Sequence, residues 1–190
     1  MKINSISLIS VLSTLSIMSV ANASVVAEFY AGGMVGAGGQ TLFTSDKHDS
    51  KTSRLVGAII GVDIPVFRIE GEYNNIDSDY LATNSVMLNA YLKVPSTVIM
   101  PYIGAGIGTV FGGKHEITDT DTGIKTNYTI NSTAAYQGML GATIDILAIP
   151  IKFDVEGRVL YAPDIYKIEA INASPDLMEY NARIKMRYIF

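Results

Sequence analysis

Three groups of residues in this chain have types and spacings that could do chemistry. His48-Asp49-Ser50 sets a base, an acid and a hydroxyl side by side, and His115 is the second of the two histidines. Acyl transfer on a lipid would need such groups, but a nucleophile and its base must be held together by packed neighbours. Adjacent positions in a polar stretch lack that support, so a lipid-modifying enzyme is the least supported reading and no catalytic residue is expected. Asp119-Thr120-Asp121-Thr122-Gly123 matches the opening of a calcium loop, but the third acidic position is missing and no bidentate Glu follows at the required distance. A turn is the simpler reading, and no metal or cofactor is expected. Cysteine is absent, which excludes disulfides, thiolate metal sites and cysteine nucleophiles.

The third group is the most telling, because its charges alternate with apolar residues. In Phe67-Arg68-Ile69-Glu70-Gly71-Glu72-Tyr73, Arg68, Glu70 and Glu72 share one side of a strand. From Ile151 to Tyr161 the same design puts Lys152, Asp154, Glu156 and Arg158 on one face and Phe153, Val155, Val159 and Tyr161 on the other. From Met178 to Phe190, Glu179, Asn181, Arg183, Lys185 and Arg187 alternate with Tyr180, Ala182, Ile184, Met186 and Tyr188. A soluble sandwich would bury such charges dry, at several kcal/mol each. A transmembrane barrel turns its apolar face to lipid and its charges to a polar lumen.

Five further segments complete an even set of eight: Val26 to Gly38, Arg54 to Asp63, Ser85 to Val94, Met100 to Phe111 and Ala134 to Ile146. Each is about as long as a tilted strand must be to cross the hydrocarbon. Short, proline-bearing connections (Ile64 to Val66, Pro95 to Ile99, Leu147 to Pro150) alternate with long polar ones (Thr41 to Ser53, Asn74 to Asn84, Gly112 to Thr133, Ala162 to Asp176). The fold class is therefore all-β: an eight-stranded antiparallel transmembrane barrel with short periplasmic turns and long extracellular loops. On this phase the lumen holds eight acids (Glu28, Asp63, Glu70, Glu72, Asp145, Asp154, Glu156, Glu179) and seven bases (Arg68, Lys93, Lys152, Arg158, Arg183, Lys185, Arg187). So narrow an interior is expected to be filled by mutual ion pairs rather than to conduct. Because Arg183 faces that polar interior, replacing it is expected to cost less than placing a charge at outward Ile184.

Outward aromatics form two girdles. Tyr73, Tyr136, Tyr161 and Tyr180 fall at the long-loop ends of their strands, and Phe29, Phe67, Phe153, Tyr188 and Phe190 at or near the short-turn ends. Residues 1–23 read as a cleaved secretory leader: Lys2, an apolar run from Ile6 to Val20, and Ala21-Asn22-Ala23 before Ser24. Residues 24–190 are then the barrel. Without the leader the chain carries 13 basic and 18 acidic residues, a balance that argues against nucleic acid as a partner.

The chain resembles the opacity-type family of small outer-membrane barrels, related in build to the outer-membrane protein A and X barrels. Arg68-Ile69-Glu70-Gly71-Glu72-Tyr73, Pro101-Tyr102-Ile103-Gly104-Ala105-Gly106-Ile107-Gly108, Tyr136-Gln137-Gly138 and the terminal Tyr188-Ile189-Phe190 carry the resemblance. It implies a Gram-negative outer-membrane location with the loops exposed to the exterior and lipid as the surrounding partner. It also implies that Tyr188 and Phe190 act as the signal read by the barrel-insertion machinery. Members serve as surface antigens, adhesins or structural barrels, and the cell-wall-binding domain of the protein A type is not expected here. The loops are net acidic and carry Phe43, Tyr80, Tyr128 and Tyr166, a composition suited to contact with a host surface protein or glycan. The leading expectation is a non-enzymatic barrel displaying its loops for host-surface or matrix contact, as an adhesin or surface antigen. A structural envelope barrel without a dedicated ligand is the alternative.

Overall fold

A computed structural model of the chain describes residues 27–44, 47–78, 82–96, 98–112, 114–118, 125–129, 132–146, 149–165 and 176–190. The leader lies outside them. Ten strands run in the order β1 (Glu28–Thr44), β2 (Lys47–Asp63), β3 (Phe67–Ser78), β4 (Thr83–Lys93), β5 (Ile99–Phe111), β6 (Lys114–Thr118), β7 (Lys125–Thr129), β8 (Thr133–Asp145), β9 (Ile151–Ala162) and β10 (Asp176–Ile189). Eight of them close into a barrel in the order β1-β10-β9-β8-β5-β4-β3-β2, and β6 and β7 form a separate two-stranded sheet. Every neighbouring pair is antiparallel, including the closing pair β1–β10. Closure gives each central backbone group a ladder partner, which a sheet crossing lipid requires.

The alternation in sequence becomes alternation of burial. Along β4, Thr83, Ser85, Met87, Asn89, Tyr91 and Lys93 are buried while Val86, Leu88, Ala90 and Leu92 are exposed. In β9 and β10 most of the buried set is charged, apart from Leu160, Ala162, Leu177 and Asn181, and the exposed set is apolar or aromatic. Leu140 and Ile103 are exposed at 67% and 61%. The large apolar side chains therefore sit on the outside, the reverse of a water-soluble protein.

At one end, hydrogen bonds close the short turns: Ile64 N donates to Phe67 O at 2.9 Å, Val94 N to Pro101 O at 2.9 Å and Ile149 N to Ile146 O at 3.0 Å. The last residue joins the same rim, with Phe190 N donating to Phe29 O at 2.9 Å. The opposite end differs from the sequence expectation. β1 and β2 stay paired out to Thr44 and Lys47, so the stretch from Thr41 to Ser53 is mostly a β-ribbon rather than an open loop. A crossing needs about 9–11 residues, and each of these strands has 17. Polar residues do not end a strand beyond the hydrocarbon, and their backbone groups still need partners, which continued pairing supplies. The connection from Gly112 to Thr133 likewise holds the β6–β7 hairpin, paired from Lys114 with Thr129 to Thr118 with Lys125.

Three inward glycines make room for three inward tyrosines. Gly61 is the direct cross-strand partner of Tyr30, Gly104 of Tyr91 and Gly141 of Tyr102. A Cβ at these glycines would lie 2.5, 2.4 and 2.7 Å from the respective ring or hydroxyl. Each aromatic thus lies across the bare backbone of its neighbour, a pairing that offsets the weakness of glycine within a strand.

Candidate functional site

The lumen contains the one large concentration of chemistry-bearing side chains among the described residues. Each charged residue sits on a strand whose opposite face meets lipid, so the pleat commits it to the interior. Arg68, Glu70, Asp154, Glu156, Arg158, Arg183, Lys185 and Arg187 are at most 2% exposed, and Glu72 is 3% exposed.

The charges are layered from the short-turn end. Lys152 Nζ lies 2.5 Å from Glu28 and 3.3 Å from Asp145, and Lys93 pairs with Asp63. Arg187 then reaches over β1, placing Nη1 2.9 Å from Asp63, and it holds Asp154 through Nε at 2.8 Å and Nη2 at 3.0 Å. Arg68 approaches Asp154 from the opposite wall at 3.1 Å, with its guanidinium 4.0 Å from the Tyr91 ring centre and 4.7 Å from that of Tyr102. Around the middle, Lys185 Nζ contacts Glu70 at 2.8 Å and Glu156 at 3.2 Å. Tyr30 and Tyr91 donate to Glu70 at 2.7 and 2.9 Å, and Tyr102 donates to Glu156 at 2.9 Å. Arg183 spans Glu156 at 2.5 Å and Glu72 at 2.7 Å. Beyond it, Asn89 donates to Glu72 at 2.8 Å, Gln137 to Asn89 at 2.6 Å, and Arg158 to Glu179 at 2.5 Å.

All eight inward acids have a basic partner within 4 Å. Glu28 and Asp145, which keep some exposure, share Lys152 alone, but each of the six fully buried carboxylates also accepts from a neutral donor or a second base, which offsets the desolvation cost. The register explains part of this pattern. Arg183 lies directly opposite Glu156, yet Lys185, opposite Asp154, turns to Glu156 and Glu70 instead. The contacts between non-neighbouring strands, Arg183–Glu72, Arg187–Asp63 and Arg68–Asp154, depend on closure and have no signal in local sequence. Tyr30, Tyr91 and Tyr102 are network donors that the sequence alone does not reveal, and their inward phase is the only available signal.

The lumen is not polar throughout. At the long-connection end, Met87, Val110, Ala135, Leu160, Ala162, Ile165 and Leu177 form a buried apolar cluster, and Leu55 and Ile76 belong to a second cluster with Tyr30, Met34 and Ile59. The expectation of a polar lumen and of a polar connection from Ala162 to Asp176 is corrected at this end, where inward strand positions and Ile165 bury apolar side chains against one another.

Among the outward aromatics, Tyr136 and Tyr161 are cross-strand partners. Tyr73 donates to Asn84 at 2.9 Å and Tyr161 to Asp176 at 2.7 Å, so these hydroxyls turn to polar partners while their rings stay exposed. Tyr180 is exposed on the same outward face, and at the other end Phe67 is half-buried. Tyr188 stacks edge-on against Phe190 at 5.5 Å. His48 and Phe43 lie on the β1–β2 ribbon, and His115 and Tyr128 on the β6–β7 hairpin. Asp119 to Gly123, Tyr80 and Tyr166 lie outside the described residues.

A closed eight-stranded barrel with an apolar belt and a paired charged interior defines a small transmembrane barrel of the bacterial outer membrane. The chain belongs to the outer membrane protein beta-barrel domain family, whose model matches residues 7–190. Among solved structures it is similar in fold to Neisserial surface protein A (NspA), with a TM-score of 0.56, 17% identity, and coverage of 86% of this chain and 99% of that one. The N-terminal β-barrel domain of Pseudomonas aeruginosa OprF aligns with a TM-score of 0.48 and 15% identity, covering 84% of this chain and 97% of that one. Yersinia pestis Ail, the attachment invasion locus protein, aligns at 0.47 with 11% identity, covering 85% and 99%. No protein of curated function matches the chain.

Proposed function

We propose that this protein is a non-enzymatic surface barrel that displays its long connections outside the cell for contact with a host surface or matrix component, a protein or a glycan. One observation carries the reading: the projecting parts of the long-connection end are ordered β-structure, namely the β1–β2 ribbon out to Thr44 and Lys47 and the β6–β7 hairpin. A paired backbone has fewer conformations to lose and so lowers the entropic cost of binding. Short turns and both barrel termini share the opposite, periplasmic rim. Tyr188 and Phe190 at that rim serve as the insertion signal, and the two sets of aromatics anchor the barrel at the membrane interfaces. The cleaved leader, residues 1–23, delivers the chain across the inner membrane.

Whole cells expressing the protein should bind epithelial or matrix-coated surfaces more than cells expressing a form lacking residues 114–129. Equal binding with an intact barrel would sink the contact role. The structural-barrel reading would then lead, supported by a lumen whose charges all serve internal pairing.

A further inference from the structure

The apolar cluster at the long-connection mouth is completed by one residue from outside the strands. Ile165 is fully buried, yet it follows the end of β9 by three positions. It is turned inward by a short, tied segment. Asp164 adopts a positive φ of 50°, a left-handed conformation that Asp tolerates better than most residues. Two hydrogen bonds hold the segment, Thr133 Oγ1 donating to Pro163 O at 2.7 Å and Asp164 N to Asp176 Oδ1 at 3.2 Å, and Tyr161 Oη steadies the same carboxylate by donating to Asp176 Oδ2 at 2.7 Å. Asp176, the first residue of β10, thus holds the stopper and the end of β9 with its two carboxylate oxygens. Inside the stopper lie Ala135, Leu160 and Leu177, and then the Arg158–Glu179 pair. At the opposite mouth no buried apolar cluster is found among the described residues, and Glu28, Asp145 and Lys152 keep side-chain exposures of 33%, 20% and 12%.

We propose that the Pro163–Ile165 segment is a latched stopper that keeps the outer half of the lumen dry, with the Asp176 carboxylate as its latch. The interior is consequently wetted from the short-turn end alone. Withdrawal of Ile165 exposes the Arg158–Glu179 layer to water. The device operates with or without a host partner.

The absence of cysteine allows a direct test on the folded protein in detergent. Ala135→Cys places a thiol of nearly the same size within the seal, and Ser132→Cys provides an exposed reference close by. A charged maleimide should modify Cys at 132 quickly and at 135 slowly. Adding Asp176→Ala to Ala135→Cys should raise the rate at least about tenfold, the population gain expected when a bond to a charged group no longer opposes local opening. Ile165→Ala should act in the same direction with the latch intact. Thr133→Val removes the independent tie to Pro163, and should also raise the rate if Asp176→Ala fails to fold. Equal modification at 132 and 135 in the unaltered background would overturn the seal. An unchanged rate in folded latch variants would overturn the latch.

Discussion

Arg183 sits between two carboxylates, Glu72 and Glu156, with no exposure of its side chain. Seen as a member of a polar face, it looks cheaper to replace than its outward neighbour Ile184. The contacts reverse that expectation, because Arg183→Gln leaves two buried acids short of a partner. It should cost about 3–5 kcal/mol, as breaking a buried pair does. Ile184→Arg puts a charge against hydrocarbon and should cost about 2–4 kcal/mol. Urea unfolding of the protein in lipid vesicles compares the two, and a loss under about 1 kcal/mol for Arg183→Gln would mean the pairing carries little weight. At Gly104, whose Cβ would meet the Tyr91 ring at 2.4 Å, Gly104→Val should destabilise the barrel by about 1–3 kcal/mol through overpacking. Gly138 has open space around the same position, and Gly138→Val should be tolerated.

At the scale of elements, the β6–β7 hairpin pairs with itself and forms no ladder with the barrel wall. Shortening a connection changes closure entropy by only about 0.6 kcal/mol per halving, so removing residues 114–129 should shift barrel stability by about 1 kcal/mol or less. A large loss in the same urea titration would show that the hairpin supports the wall. The membrane-spanning elements were legible because lipid on one side and a charged interior on the other enforce a strict period of two. Phe67 to Tyr73 and Ile151 to Tyr161 show it residue by residue. That rule weakens outside the hydrocarbon, where both faces are polar, and so the ribbon from Thr41 to Ser53 read as a loop. Ion-pair partners were legible only where register joins neighbouring strands, as for Arg183 and Glu156. Partners such as Arg68 and Asp154 meet across the lumen, and which wall faces which is a property of the closed barrel.

For the whole molecule, closure removes the free edges at which strand separation begins. Unboiled protein should therefore migrate differently from boiled protein on a denaturing gel, whereas identical migration with a helical circular dichroism spectrum would contradict the fold. The interior of the barrel is occupied: tyrosines and ion pairs fill the middle, and an apolar cluster closes one end. An eight-stranded barrel has width only for its own side chains. Glu156→Ala should consequently lower stability rather than create a pore, because Arg183, Lys185 and Tyr102 lose a common partner without clearing the space. The most direct measurement is conductance across planar bilayers containing the purified, folded protein. A filled lumen predicts no stable, large, porin-like current, and steady channel openings of that size in the unaltered protein would contradict it.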